Sequence, residues 1–320
     1  MGNVSGGTCP KGWPLVVEIS KIILVMFLWA VCFPLIVAGF AYAPHLTFAA
    51  LRAVVAGAAL VGVGLVLGRR WPRGRRVWGI LALVGLGATT LGYLGMFMAS
   101  EFVSPGIATV IANTQPLMAA VLAGLVLREQ LGPKAKVGMA LGFAGIVVIA
   151  LPQFATAQGG TYAVGIAYIL LAAVGITVSN VLIRKIAGEV DALMAMGAQL
   201  LIGGVPLAIG AFLFEDPQSV IWSPQFLLIL AGISLFGSSL AYWLWSEILR
   251  TTELNRANAF SFLVPIFGLA MGAAFFGERL GWFEIVGIGL TVAGIALASF
   301  AKPVNTPAST PERPKREAQS

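Results

Sequence analysis

The side chains best suited to chemistry in this sequence bond through hydrogen and carry no charge. Tyr93 and Tyr242, with Trp29 and Trp245, offer broad apolar faces that each end in a polar handle. Thr109, Asn113, Asn180, Asn258 and Ser261 can orient amino, carboxyl or hydroxyl groups, and Met96 falls beside Tyr93. Such a set suits the holding of a small amphipathic solute, neutral or zwitterionic. It does not suit bond-making. A buried aspartate pair, a Ser/His couple or a His-rich metal site is missing, and the single histidine, His45, falls between apolar stretches. No catalytic residue, cofactor or metal is therefore expected. Arg52 stands apart as the only basic residue inside an apolar stretch. A charge there costs roughly 2.5–3.5 kcal/mol if central, less if it snorkels. It is a possible anchor for a substrate carboxylate, weighed here against a structural role.

The elements that must position these groups are long and apolar. The chain is 58% hydrophobic and only 10% charged, with a mean hydropathy of +0.92, which leaves no room for a soluble fold with a charged surface. Stretches of about 20 apolar residues, enough to span a bilayer core, follow one another from end to end. Ten are expected, roughly over 20–40, 44–68, 77–98, 105–127, 136–151, 162–183, 192–214, 224–249, 257–277 and 282–300. The fold class is all-α and polytopic. Trp245 lies four residues from the end of its stretch, so an interfacial belt position is the alternative to a pathway role.

The net charge of +7 does not point to nucleic acid. With the N-terminus in the cytoplasm, 18 of the 20 Lys and Arg residues face inward, among them the run from Arg69 to Arg76; Arg279 alone falls outside and Arg52 lies within a span. That is the positive-inside bias, so the basic charge sets topology, with both termini cytoplasmic in a bacterial-type inner membrane. Cys9 and Cys32 imply no disulfide. Ala41-Tyr42-Ala43 mimics a cleavage site, but the apolar run before it is too long for a signal peptide and is read as an uncleaved anchor. Residues 1–19 form a leader, and the Pro-rich, charged segment 301–320 is expected to be disordered.

Shifted by 149 residues, the chain overlies itself. Half of the 18 positions between Glu129 and Ile146 recur, including Glu129/Glu278, Gly138/Gly287 and Gly145/Gly294, and the same shift pairs Pro116 with Pro265 and Tyr93 with Tyr242. Two units of five spans follow, 20–151 and 162–300. Because five is odd, the second unit enters the membrane from the opposite side, and the two become inverted repeats. In so apolar a chain this is the signature of a secondary transporter. Pro116 and Pro265 are expected to kink spans four and nine near their middles, each freeing the carbonyl four residues back, at Ala112 and Ser261. The spaced glycines Gly64/Gly68, Gly138/Gly142 and Gly268/Gly272 read as close helix contacts, and "GLG" at Gly85 is no phosphate loop because neither a strand nor a lysine accompanies it.

The run from Ser104 to Ile149, "SPGIATVIANTQPLMAAVLAGLVLREQLGPKAKVGMALGFAGIVVI", and its echo from Asn255 to Leu297 resemble the two copies of the EamA-type domain of the drug/metabolite transporter superfamily. The resemblance covers nearly all of residues 20–300. It implies a ten-helix carrier with a central cavity between the repeats, and in that family an Arg is common at the place of Arg52 whatever the substrate, which favours the structural role for Arg52 over the carboxylate anchor. Many bacterial relatives export amino acids and related metabolites, whereas others import vitamins or nucleosides. The expected function is export of such a metabolite by alternating access, with uptake as the alternative and a lipid-linked flippase or an intramembrane enzyme further off. With no acid mid-span, an obligatory proton-coupled pump is disfavoured. The partners are a small-molecule substrate and the bilayer; the chain is read as a monomer, a dimer being the alternative. In the second half the position aligned with Arg52, at a shift of 147, is Gln199.

Overall fold

Long uninterrupted apolar runs leave the backbone only one way to satisfy its amides away from water, and the chain takes it: every regular element among the described residues is helical. The computed structural model describes residues 13–99, 101–102, 111–127, 131–154, 162–276 and 281–299. Helix α1 covers Trp13–Gly39 and α2 His45–Val66. Next, α3 (Arg75–Val84) passes through a π-helical segment, Gly85–Leu91, into α4 (Gly92–Ala99). Then come α5 (Gln115–Val126), α6 (Pro133–Phe154), α7 (Tyr162–Ile186) and α8 (Ala192–Phe214). A second composite rod joins α9 (Pro224–Ser234), a π-helical segment at Leu235–Leu240 and α10 (Ala241–Thr251). The last elements are α11 (Leu254–Ala259), a 3₁₀ turn at Phe260–Phe262, α12 (Leu263–Phe276) and α13 (Trp282–Ser299).

Six of these rods are long and apolar enough to cross a membrane: Val17–Gly39, His45–Val66, Arg75–Ala99, Ala163–Ile186, Ala192–Phe214 and Pro224–Thr251. Gln115–Val126 and Trp282–Ala298 are shorter apolar helices. Side chains such as Val66, Phe214, Phe212, Leu125 and Leu228 stand bare on the outside, as suits an exterior solvated by lipid tails. The chain is a multi-pass membrane protein. Its first helix starts at Trp13, ahead of the Ser20 expected from hydropathy, and Asp191, which accepts from Leu193 N at 3.0 Å and Met194 N at 3.2 Å, sets the start of α8 where hydropathy placed it.

Polar contacts tie the rods at their ends. At one end the Glu215 carboxylate accepts from Leu46 N and Thr47 N, both at 2.8 Å, and so satisfies the open amides that begin α2. His45 pairs with Glu101 at 3.2 Å beside it. At the opposite end Arg184 donates to Leu249 O at 2.6 Å, closing α10, while Arg76, in the first turn of α3, pairs with Glu189 (3.1 Å) and Arg69, in the loop after α2, with Asp191 (3.7 Å), both acids lying in the loop after α7.

Between α6 and α13 the contact is backbone to backbone. A side chain at Gly138 would run into Gly294 O and Ala298 N, and one at Gly145 into Gly287 O and Thr291 N. Gly142 faces the Phe262 ring. The expectation for Gly138/Gly142 thus holds. Gly64 faces Met194, but Gly68 meets nothing and instead takes a left-handed φ of 63° just past α2, while Gly268 faces open space. At those two positions the motif marks a turn and a free surface rather than a helix contact.

Candidate functional site

Of the groups singled out by sequence, Tyr93 and Tyr242 lie in the interior around Arg52, which α2 buries to 3% exposure. Its Nε donates to Ser238 Oγ at 2.8 Å and its Nη2 reaches Cys32 Sγ at 3.5 Å. The guanidinium carbon lies 4.3 Å from the centre of the Tyr93 ring, a cation–π contact. The Tyr93 hydroxyl and Ser238 Oγ share a 2.9 Å hydrogen bond, and the Tyr242 hydroxyl adjoins that of Tyr93 in the same cluster. No carboxylate pairs with Arg52 among the described residues, and its Nη1 has no hydrogen-bond partner among them.

The same bonding scheme occurs a second time. Gln199 Oε1, on α8 and in the place of Arg52, accepts from Thr89 Oγ1 at 2.9 Å, whereas Arg52 donates to Ser238 Oγ, so donor and acceptor are exchanged between the two copies. Thr90 Oγ1 donates to Gly203 O at 2.7 Å, and Ser239 Oγ donates to Ala56 O at 2.9 Å. The residues of α2 and α8 differ by 147 in each comparison, and those of the two π-helical segments by 149. Cys32 and Ser179 also correspond at 147, Ser179 Oγ donating to Val84 O at 3.2 Å. Gln199 Nε2, like Arg52 Nη1, has no partner among the described residues.

Both π-helical segments contribute their hydroxyls to this belt. Ser238 and Ser239 also bond the carbonyls of Ile233 and Ser234, five residues back, at 3.3 and 3.0 Å, where they take up acceptors that the widened turn leaves. Gly85 and Gly87 admit the neighbouring backbone: a Cβ on Gly85 would fall 2.6 Å from Gln199 O, and one on Gly87 2.6 Å from Gly175 O. Sequence reasoning missed Thr89, Ser238 and the π geometry. The signal was present in the hydroxyl pairs Thr89-Thr90 and Ser238-Ser239, which stand 149 apart.

An aromatic wall adjoins the belt. The Trp29 ring lies 5.3 Å from that of Trp245 and 6.3 Å from that of Tyr242. Trp245 is 1% exposed and its Nε1 donates to Asn180 Oδ1 at 2.9 Å. The interfacial belt reading of Trp245 is thereby corrected: an indole so enclosed, with its one donor satisfied internally, cannot serve at a water boundary. Tyr242 makes a long bond, 3.5 Å, to Ala88 O beside its contact with the Tyr93 hydroxyl. Met96 is half-buried against the core.

Each of the two prolines follows an interruption of its rod. Ile111 and Ala112 are helical, Asn113 and Thr114 form a turn, and α5 restarts at Gln115, so that Pro116 stands in its first turn, where a missing amide costs nothing. Thr114 Oγ1 donates to Ile111 O at 2.7 Å across the break. In the second case the change of helix type falls at Phe260–Phe262, ahead of Pro265 near the start of α12. Each interruption falls in the turn before its proline, where the ring removes a backbone hydrogen bond and displaces the carbonyl four residues back. Asn113 and Asn258 sit buried at the two breaks, and Asn258 Nδ2 has no partner among the described residues. Ser261 Oγ is spent on Asn258 O at 2.6 Å, within its own helix. Thr109 lies outside the described residues.

Among the described residues, apolar helices enclose a buried polar belt bounded by aromatic rings and interrupted helices, the arrangement of a multi-pass membrane protein. The EamA-like transporter family matches residues 17–151 and again 163–300, and the chain belongs to it. It is similar to the transporter YvbV of Bacillus subtilis (28% identical, covering 86% of this chain and 89% of that protein). It is also similar to the inner membrane transporter YedA of Escherichia coli K12 (27%, 81% and 83%) and to a WAT1-related chloroplastic protein of Arabidopsis thaliana (27%, 93% and 73%). A crystal structure of a protein at 20% identity superposes with a TM-score of 0.78 over 89% of this chain and 98% of its own, a likeness of fold.

Proposed function

We propose that the protein is a secondary carrier of ten spans, built from two inverted five-helix units, that exports amino acids or related small amphipathic metabolites by alternating access. The observation that carries this reading is the duplicated belt: Arg52–Ser238 with Ala56–Ser239, and Gln199–Thr89 with Gly203–Thr90. In each unit the second helix of one half bonds the π-helical segment of the other. Halves that grip each other equivalently have two arrangements of similar energy, one open to each side. Aromatic faces next to amides and hydroxyls would lie against a solute with one apolar and one polar side. The membrane is read as a bacterial-type inner membrane with both termini cytoplasmic, and the carrier as a facilitator or exchanger, since no acid lies in the belt among the described residues.

Cells that express the protein should outgrow controls on toxic amino acids and analogues, and should accumulate less radiolabelled amino acid. Faster uptake with greater sensitivity would assign the opposite direction, and no change with any compound would remove the amino-acid reading. Topology is tested separately: reporter fusions after Arg76 and after Phe214 should report cytoplasm and exterior respectively. The reverse pair would defeat the inverted arrangement.

A further inference from the structure

We propose that Arg52 receives the carboxylate of the transported solute, so that the protein selects small monocarboxylates, zwitterionic amino acids among them, over their amides and amines. This rests on the carrier reading above and adds the group by which the solute is recognised. The argument begins with what Arg52 is not needed for. Its contact with the π-helical segment, through Nε to Ser238 Oγ at 2.8 Å, has a counterpart in which the neutral Gln199 meets Thr89 Oγ1 at 2.9 Å. Holding the second helix of a unit against that segment therefore takes an amide, not a cation. The positive charge in the first unit is additional to the structural task.

That charge is also uncompensated. Arg52 is 3% exposed, no acid pairs with it among the described residues, and Nη1 has no hydrogen-bond partner among them. A buried cation of this kind is destabilising unless a counter-charge arrives. Its surroundings are neutral: Cys32, Ser238, Tyr93 and Tyr242. One positive charge among neutral groups matches a monoanion, whereas a dianion would leave a net negative charge buried. Donors of suitable type stand ready for the two oxygens of a carboxylate. Arg52 Nη1 is unused, and the Tyr242 hydroxyl, beside that of Tyr93, reaches Ala88 O at 3.5 Å, a long bond it can exchange for a better acceptor. Trp29, whose ring adjoins Tyr242 at 6.3 Å, provides the apolar face for the rest of the solute. In this structure the helices close over the guanidinium, so the carboxylate enters when the two units part.

The test is counterflow in vesicles reconstituted with the full chain, using labelled leucine and phenylalanine competed by the acids, their carboxamides and the amines that lack the carboxyl group. The acids should compete about tenfold better than the amides, the effect of one charge-assisted hydrogen bond. Arg52→Gln should remove that discrimination while keeping a thermal unfolding midpoint near that of the wild type, because Gln199 shows that the amide fits this environment. Arg52→Lys, which keeps the charge, should keep part of the preference and decides the matter if Arg52→Gln does not fold. Equal competition by acid and amide in the wild type overturns the inference and leaves the carrier reading standing. So does a fall in exchange of acid and amide alike in Arg52→Gln, the mark of a purely structural residue. Absence of any exchange by the wild type removes both the inference and the amino-acid reading.

Discussion

Gly294→Ala should lower the stability of the folded protein by about 3 kcal/mol, the upper end of what overpacking costs, as read from unfolding of the purified protein in detergent. The added methyl would fall 2.6 Å from Gly138 O and 2.8 Å from the Gly142 α-carbon, with Gly142 N nearer still. All three are backbone atoms of α6, so no rotamer change relieves the clash and the two helices must separate. Gly145→Ala meets the same obstacle from the other side, in Gly287 O at 2.6 Å and Thr291 N at 2.7 Å. Gly289→Ala, on α13 but with nothing within 4 Å of the added carbon, is the matched control and should be neutral or slightly stabilising, since alanine favours the helix by up to ~1 kcal/mol over glycine. If Gly294→Ala unfolds with the wild type, the α6–α13 contact is not close-packed and the small residues there have another purpose. Within a membrane such packing is a main source of helix association, because lipid tails and apolar side chains are equally oily.

Much of this architecture was legible because it depends on patterns that survive averaging along the chain. The length of each apolar run placed α8 at Ala192–Phe214 and the start of the α9 rod at Pro224, and the 149-residue shift brought Tyr93 and Tyr242 to corresponding places on two rods that each widen into a π-helix just before the tyrosine. The alignment of Arg52 with Gln199 was readable too, and it supplies the comparison that separates structural need from excess charge. What escaped notice depends on partners from elsewhere in the fold. Ser238 and Ser239 loosen their turn because Arg52 and Ala56 O are within reach across α2, and a sequence window on either helix contains only half of that fact. The same holds for glycine spacing: Gly138 and Gly268 look alike in sequence, yet one faces the backbone of α13 and the other nothing. Pro116 announced an interruption of its span, but its form, a turn at Asn113 and Thr114 closed by Thr114 on Ile111 O with the proline in the first turn of the next helix, depends on side-chain bonding that a hydropathy window does not contain. For Trp245 the distance to a helix end left an interfacial position as the alternative to a pathway role, and the position of Asn180, on α7, shows why it belongs inside.

Transport should depend most sharply on the four side chains that meet at the belt and at the helix breaks. Tyr93→Phe, Tyr242→Phe, Asn113→Ala and Asn258→Ala should each reduce apparent affinity or exchange rate by roughly 5- to 150-fold, equivalent to about 1–3 kcal/mol for a buried polar partner removed, with membrane expression intact. Ser261→Ala should have little effect, because Ser261 Oγ bonds Asn258 O in its own helix and has nothing to offer a solute. The two tyrosines should then part company in stability. Tyr93 shares a 2.9 Å bond with Ser238 Oγ while its ring carries the Arg52 guanidinium. Tyr93→Phe keeps the ring contact but loses the hydroxyl that completes the Ser238 network, at a cost of about 1 kcal/mol of folding free energy. Tyr242 makes a 3.5 Å contact with Ala88 O and adjoins the Tyr93 hydroxyl, so Tyr242→Phe should cost less stability than Tyr93→Phe, under about 1 kcal/mol, while transport falls. A variant that loses transport without losing stability has lost something the solute used. Should Tyr242→Phe instead transport normally, its hydroxyl is idle and the solute's polar end must bind without it; wild-type kinetics in all four variants would make the belt a packing device and send the search for the pathway to other helices.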